Sequence, residues 1–131
     1  MVKREKIEEI QQDFNNVIEE KKIQGLLLFG SSVLNQNTNR SDIDICVVAP
    51  EENVFDLLSY ITKNINVVKK KYDTRIFSEL PLFIKIQIIE DGILVYSPNK
   101  YDLYEFFYFY RKIWADQKHR QKISKIELLS L

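Results

Sequence analysis

GSSVLNQNTNRSDID, running from Gly30 to Asp44, joins two short apolar runs. Before it, Leu26 to Phe29 is a continuous apolar run closed by Gly25 and Gly30, which reads as a strand buried on both faces. After it, Ile43 to Ala49 is apolar and β-branched until Pro50 stops it, giving a second buried strand. Residues 31 to 41 are polar and rich in Ser and Asn, and read as a turn or short helical turn followed by a loop. A connection of that length suits an antiparallel pair. Side chains on a strand repeat every second residue, so Asp42 and Asp44 point the same way with Cα atoms about 6.5 to 7 Å apart. Two such carboxylates repel unless a cation sits between them, and hard oxygen ligands suit Mg²⁺. Gly30 lets the backbone turn sharply and approach a ligand, while Ser31 and Ser32 supply hydroxyls and backbone N–H groups at a corner that can hold phosphate. Phosphate-holding donors beside metal-holding carboxylates are what metal-assisted phosphoryl or nucleotidyl transfer requires.

Outward from this segment, residues 3 to 23 place Ile7, Ile10, Phe14, Val17 and Ile18 on one stripe between acidic and amide residues, an amphipathic helix. Residues 53 to 65 repeat the pattern with Val54, Phe55, Leu57, Leu58, Ile61 and Ile65, and Val67 to Phe77 reads as a third strand. The helix between supplies the crossover that a parallel pair needs, so the second and third strands can be parallel and the sheet mixed. Residues 79 to 90 remain open on periodicity. Ile84, Ile86 and Ile88 alternate as in a strand, yet Ser78 could cap a helix that ends at Asp91-Gly92 with Leu82, Ile86 and Ile89 on one face. A short strand over 93 to 96 and a long helix from 101 to about 125 complete the chain, with the last six residues expected to fray. The expected fold is α/β: a mixed sheet flanked by helices, with a long C-terminal helix.

At 131 residues the length fits a single domain, 1–131. Nineteen basic and nineteen acidic residues cancel, so no global charge draws the chain to nucleic acid or an anionic membrane. One cysteine, no signal-like start and no apolar run of spanning length point to an intracellular, cytoplasmic protein without a membrane partner. Cys46 reads as an inert core thiol, and His119, the sole histidine, leaves no Cys/His constellation for zinc or for a nucleophilic triad. A third acid would complete a two-metal site. Asp73 is the best candidate, on the polar face of the third strand with Lys69, Lys71 and Arg75; Glu79 and Asp91 compete, but each reads as a solvated loop or helix-end charge.

Gly30-Ser31, ten intervening residues and Asp42-Ile43-Asp44 resemble the motif of the nucleotidyltransferase superfamily that includes polymerase beta, and the short chain resembles its minimal nucleotidyltransferase (MNT) branch. The stretch YDTRIFSELPLFIKIQIIEDGILVYS is similar to that branch too, with Asp73 where the third carboxylate stands. The resemblance covers roughly residues 25 to 97. It implies a helix over 79 to 90 and catalytic, metal-holding acids Asp42, Asp44 and Asp73. It also implies nucleotide binding at Gly30, Ser31 and Ser32, and two Mg²⁺ ions with ATP as substrate. Such minimal enzymes are often antitoxins paired with a HEPN ribonuclease toxin, some transferring AMP to a toxin tyrosine, which implies a hetero-oligomer here. The alternatives on the same fold are a non-catalytic antitoxin that inhibits by docking and a regulatory nucleotide-binding module.

Seven of the ten residues from Tyr101 to Tyr110 are aromatic, more than one buried helix face uses, so some rings should meet a partner or a second copy. Beyond them Arg111, Lys112, Lys118, Arg120, Lys122 and Lys125 stand against Asp116 alone over 111–125. That segment reads first as a solvated helix end and otherwise as a contact for an acidic partner or RNA.

Overall fold

A computed structural model of the chain describes residues 4–30 and 42–130. The amphipathic N-terminal segment forms two helices, α1 (Arg4–Asp13) and α2 (Asn15–Glu20). Phe14, between them, leaves helical geometry, although hydrogen bonds from Phe14 to Ile10 and from Ile18 to Phe14 keep the two in line. The chain then forms β1 (Gly25–Phe29), β2 (Ile43–Val48), α3 (Val54–Asn64), α4 (Val67–Lys70), β3 (Tyr72–Ile76), α5 (Leu82–Asp91), β4 (Ile93–Tyr96) and α6 (Lys100–Leu129).

The sheet is mixed, in the order β3-β2-β1-β4. β1 runs antiparallel to both β2 and β4, whereas β2 and β3, joined through α3, run parallel. Alternation along the strands divides the core. Leu26, Leu28, Ile45, Val47, Tyr72 and Ile76 face the layer built by Ile10, Phe14 and Val17 from α1–α2 and Leu57 and Ile61 from α3. Leu27, Cys46, Val48 and Phe77 face Ile88 of α5 and Leu103 and Phe107 of α6. Phe14 and Phe77 are almost wholly buried, and truncating either to Ala would cost about 3–5 kcal/mol.

Besides the break at Phe14, three expectations change. The third strand does not span Val67 to Phe77: its first residues form α4, because the Asn66 side chain accepts from the Lys69 N–H and Lys71, at φ 60°, caps the turn. Only from Tyr72 does the chain pair with β2. In the segment left open by periodicity, the helix is the correct reading, but Ser78 does not cap it. Residues 77–79 make a short 3₁₀ turn, and α5 starts after Pro81, whose fixed φ suits a helix entrance. The C-terminal helix runs past residue 125: α6 continues to Leu129. Asn99 caps it by accepting from the N–H groups of Tyr101 and Asp102. Over its 30 residues, about 45 Å, only Leu103 and Phe107 are fully buried. Leu103 packs against Gly25, and Phe106, Phe107 and Tyr110 surround Phe77, so the first half crosses the sheet while the second half is largely exposed.

Candidate active site

The site stands at the sheet end where β1 stops and β2 and β3 begin. Register does the assembling: Phe29 of β1 lies opposite Asp44 of β2, and Asp44 lies opposite Asp73 of β3. Two residues from opposite ends of a crossover are thereby placed on neighbouring strands, which run about 4.8 Å apart. Gly30 follows Phe29 at φ 67°, a left-handed conformation that side chains disfavour, and a Cβ there would lie 2.5 Å from Oδ2 of Asp44. Only a glycine fits here against the carboxylate.

The acids share the sheet face that carries Cys46, Val48 and Phe77, at its open end. Asp44 is half-buried, and burial is the main force holding its carboxyl above the usual carboxylate range. The charge of Asp73 and a hydrogen bond with it push the same way, as does the charge of Asp42, while Arg75 pulls it down. Asp42 lies just ahead of β2 and is exposed. The structure therefore brings Asp44 and Asp73 together and leaves Asp42 within electrostatic range at the rim. Among the described residues no three His, Cys, Asp or Glu side chains converge tightly enough to form a metal cage. Even so, converging hard oxygens with mutually raised charge cost fit a divalent cation, which would relieve the repulsion that Asp44 experiences.

Glu79 lies in the 3₁₀ turn beyond β3 and Asp91 at the end of α5, both exposed, whereas the charges acting on Asp44 include those of Asp73, Arg75 and Asp42. Ser31 and Ser32 lie outside the described residues. Cys46 is buried, and burial alone pushes its thiol far up, as expected of an inert core cysteine. Sequence reasoning missed the role of Arg75, noted only as one polar residue of a face. Its Nε donates to Asp73 Oδ1 at 3.1 Å and its Nη2 to Oδ2 at 3.4 Å. Opposite charges two apart on a strand were the available signal.

A second polar cluster, between α1 and β3, was also unforeseen. Tyr72 donates to Asp13 at 2.5 Å, and Lys70 bridges Asp13 and Glu9, which Lys6 also pairs. This cluster ties α1 to the β3 edge on the opposite face of the sheet from the acids.

On α6 the aromatic run divides. Phe107 is buried, Phe106 and Tyr110 pack on Phe77, and Tyr101, Tyr104, Tyr108 and Phe109 are exposed. A groove of about 430 Å³ between α5 and α6 is lined by Ile89, Tyr104, Phe107, Tyr108 and Arg111. Among the described residues no helix is long and apolar enough to cross a membrane.

Residues 5–101 match the family described as polymerase beta, nucleotidyltransferase. An inferred protein adenylyltransferase of Methanocaldococcus jannaschii is 43% identical over 99 residues, covering 76% of this chain and 75% of that protein. Among solved structures, a toxin–antitoxin complex with AMP-PNP contains a chain with a TM-score of 0.64 at 20% identity, covering 93% of this chain and 98% of that one. A complex of tri-AMPylated Shewanella oneidensis HEPN toxin with MNT antitoxin gives 0.56 at 20% identity, with 90% and 98% covered. These structural likenesses establish the fold: the same mixed sheet with a long terminal helix.

Proposed function

The chain belongs to the polymerase beta nucleotidyltransferase family and is a nucleotidyltransferase, and from that premise we propose that it transfers AMP from ATP to a tyrosine hydroxyl of a HEPN ribonuclease toxin, serving as its antitoxin. The observation that carries this reading is the pairing of Asp44 with Asp73 beside a backbone position that only Gly30 can occupy. The relative's name and the toxin–antitoxin assemblies of the structural neighbours support the choice of a protein acceptor.

In this reading Asp42, Asp44 and Asp73 would hold two Mg²⁺ ions, whose chemistry would be to lower the pKa of the acceptor hydroxyl and neutralise charge on the phosphates. The Gly30 turn, with Ser31 and Ser32, holds the triphosphate through backbone N–H and hydroxyl donors. The tyrosine oxygen forms a bond to the α-phosphorus as the bond to the bridging oxygen breaks. Pyrophosphate carries that electron pair away and the hydroxyl proton passes to solvent. No side-chain nucleophile takes part.

The test is mass spectrometry of the toxin after incubation with this protein, ATP and Mg²⁺. A gain of one AMP per modified tyrosine with wild type, and none with Asp44→Asn, is the expected result. Toxin silenced equally by both proteins without an adduct would replace transfer by inhibition through docking. That second reading is favoured by one specific observation, the four exposed aromatic residues on the first half of α6.

A further inference from the structure

Asp73 and Arg75 are two apart on β3, so their side chains leave the sheet on one face, and the guanidinium grips the carboxylate through two nitrogens. The pair is open to water, with the Arg75 side chain 58% and the Asp73 side chain 36% exposed. An ion pair so exposed is weak, and the guanidinium is free to exchange one oxyanion for another. Its planar fork suits phosphate as well as it suits carboxylate. Its position is the second part of the argument. Across the sheet end the order is Gly30, Asp44, Asp73, with Arg75 beside Asp73, so the acids have a left-handed glycine against them on the β1 side and a cation on the β3 side. A polyanion seated over the acids by way of a divalent ion would have its own charge within reach of Arg75.

We infer that Arg75 is a phosphate-binding residue of the nucleotide site, parked on Asp73 until a metal–nucleotide complex takes that carboxylate, whereupon the guanidinium turns to the triphosphate. The inference rests on the reading of the acids as the metal and nucleotide site. Parked, Arg75 offsets part of the repulsion between Asp73 and Asp44; released, it contributes a charge-assisted hydrogen bond to a phosphate oxygen.

The experiment measures two affinities on the full chain: Mn²⁺ alone, by the loss of its free-ion magnetic resonance signal, and AMP-PNP with Mg²⁺, by calorimetry. Arg75→Gln should weaken AMP-PNP binding by about tenfold, the usual worth of a hydrogen bond to a charged group, while Mn²⁺ binds as tightly as before or more tightly. Arg75→Lys, which keeps charge and loses the fork, should recover part of the nucleotide affinity. Unchanged AMP-PNP affinity in Arg75→Gln would overturn the inference. So would a joint fall in Mn²⁺ and AMP-PNP affinity, because it would mean that Arg75 serves only to hold Asp73 in place. A wild-type protein that binds neither Mn²⁺ nor AMP-PNP would instead remove the site reading itself, an outcome separable from failure of the Arg75 variants alone.

Discussion

Gly30 and Asp44 are in such close approach that a single added carbon on the glycine would sit 2.5 Å from the carboxylate Oδ2. Sterics and backbone conformation reinforce each other here, since the φ of 67° is itself unfavourable to any residue with a Cβ. Gly30→Ala should therefore cost about 1–2 kcal/mol of stability and displace Asp44, and Gly30→Val should do more. Thermal melts together with AMP-PNP titration check this; a Gly30→Val protein that keeps wild-type nucleotide affinity would end the phosphate-turn argument.

Asp44 is held above the ordinary carboxylate range mainly by burial and then by Asp73. A raised carboxyl pKa means that the ionised form costs the fold, so the metal-free protein at neutral pH carries a penalty that a neutral isostere removes. Asp44→Asn should melt higher than wild type in EDTA, by roughly 1–3 °C given how far solvent screens a half-exposed group. Mg²⁺ with AMP-PNP should raise the melting temperature of wild type and leave that of the variant unchanged. Equal melting of the two proteins under both conditions would contradict the arrangement.

If Asp73 is the third metal-holding acid, Asp73→Asn should reduce turnover more than nucleotide affinity, because such an acid would act where charge develops in the transition state. Steady-state kinetics with the toxin as acceptor decide it. A retained rate would return the role to Glu79 or Asp91.

Tyr72 and Asp13 offer a test on the other face. Tyr72→Phe removes the hydroxyl that Asp13 accepts from and should cost about 1 kcal/mol, leaving nucleotide binding intact. The neighbouring Glu9 is held below its usual range by hydrogen bonds from Lys6 and Lys70. A lowered carboxyl contributes stability above its unfolded pKa and loses it as pH falls through the folded value, so Glu9→Gln should flatten the acid side of the stability profile. Chemical denaturation from pH 3 to 7 reads both effects.

Tyr104 and Tyr108 line the groove between α5 and α6 and are exposed, so replacing both by Ala should leave the melting temperature within a few degrees while weakening capture of the toxin. Capture that survives the double change would move the contact surface elsewhere.

How much of this could be read in the sequence follows physical lines. The two central strands were legible because an apolar run between glycines and one ended by proline have few alternatives, and the Asp42–Asp44 spacing then carried its own geometry. The crossover helix made the parallel pairing of β2 and β3 legible, and with it the neighbourhood of Asp73. What escaped was local side-chain chemistry competing with pattern. Asn66 capping a single turn converted Val67 to Lys70 from strand to helix, although their apolar-then-basic order reads as neither. Arg75 on Asp73 and Tyr72 on Asp13 escaped because a periodicity sorts residues into faces without saying which partners they find there. The break at Phe14 lies in a stripe whose burial is continuous on both sides, so hydrophobic spacing carries no trace of it.

The route by which β2 reaches β3 also separates the acids along the chain. Gly30, Asp42 and Asp44 belong to one antiparallel hairpin, whereas Asp73 joins them only after α3 and α4 have been made and the loop between has closed. As the chain leaves the ribosome, the hairpin can form tens of residues before its third acid exists. A nascent chain emerged only as far as α3 therefore carries Gly30 and the Asp-x-Asp pair without Asp73.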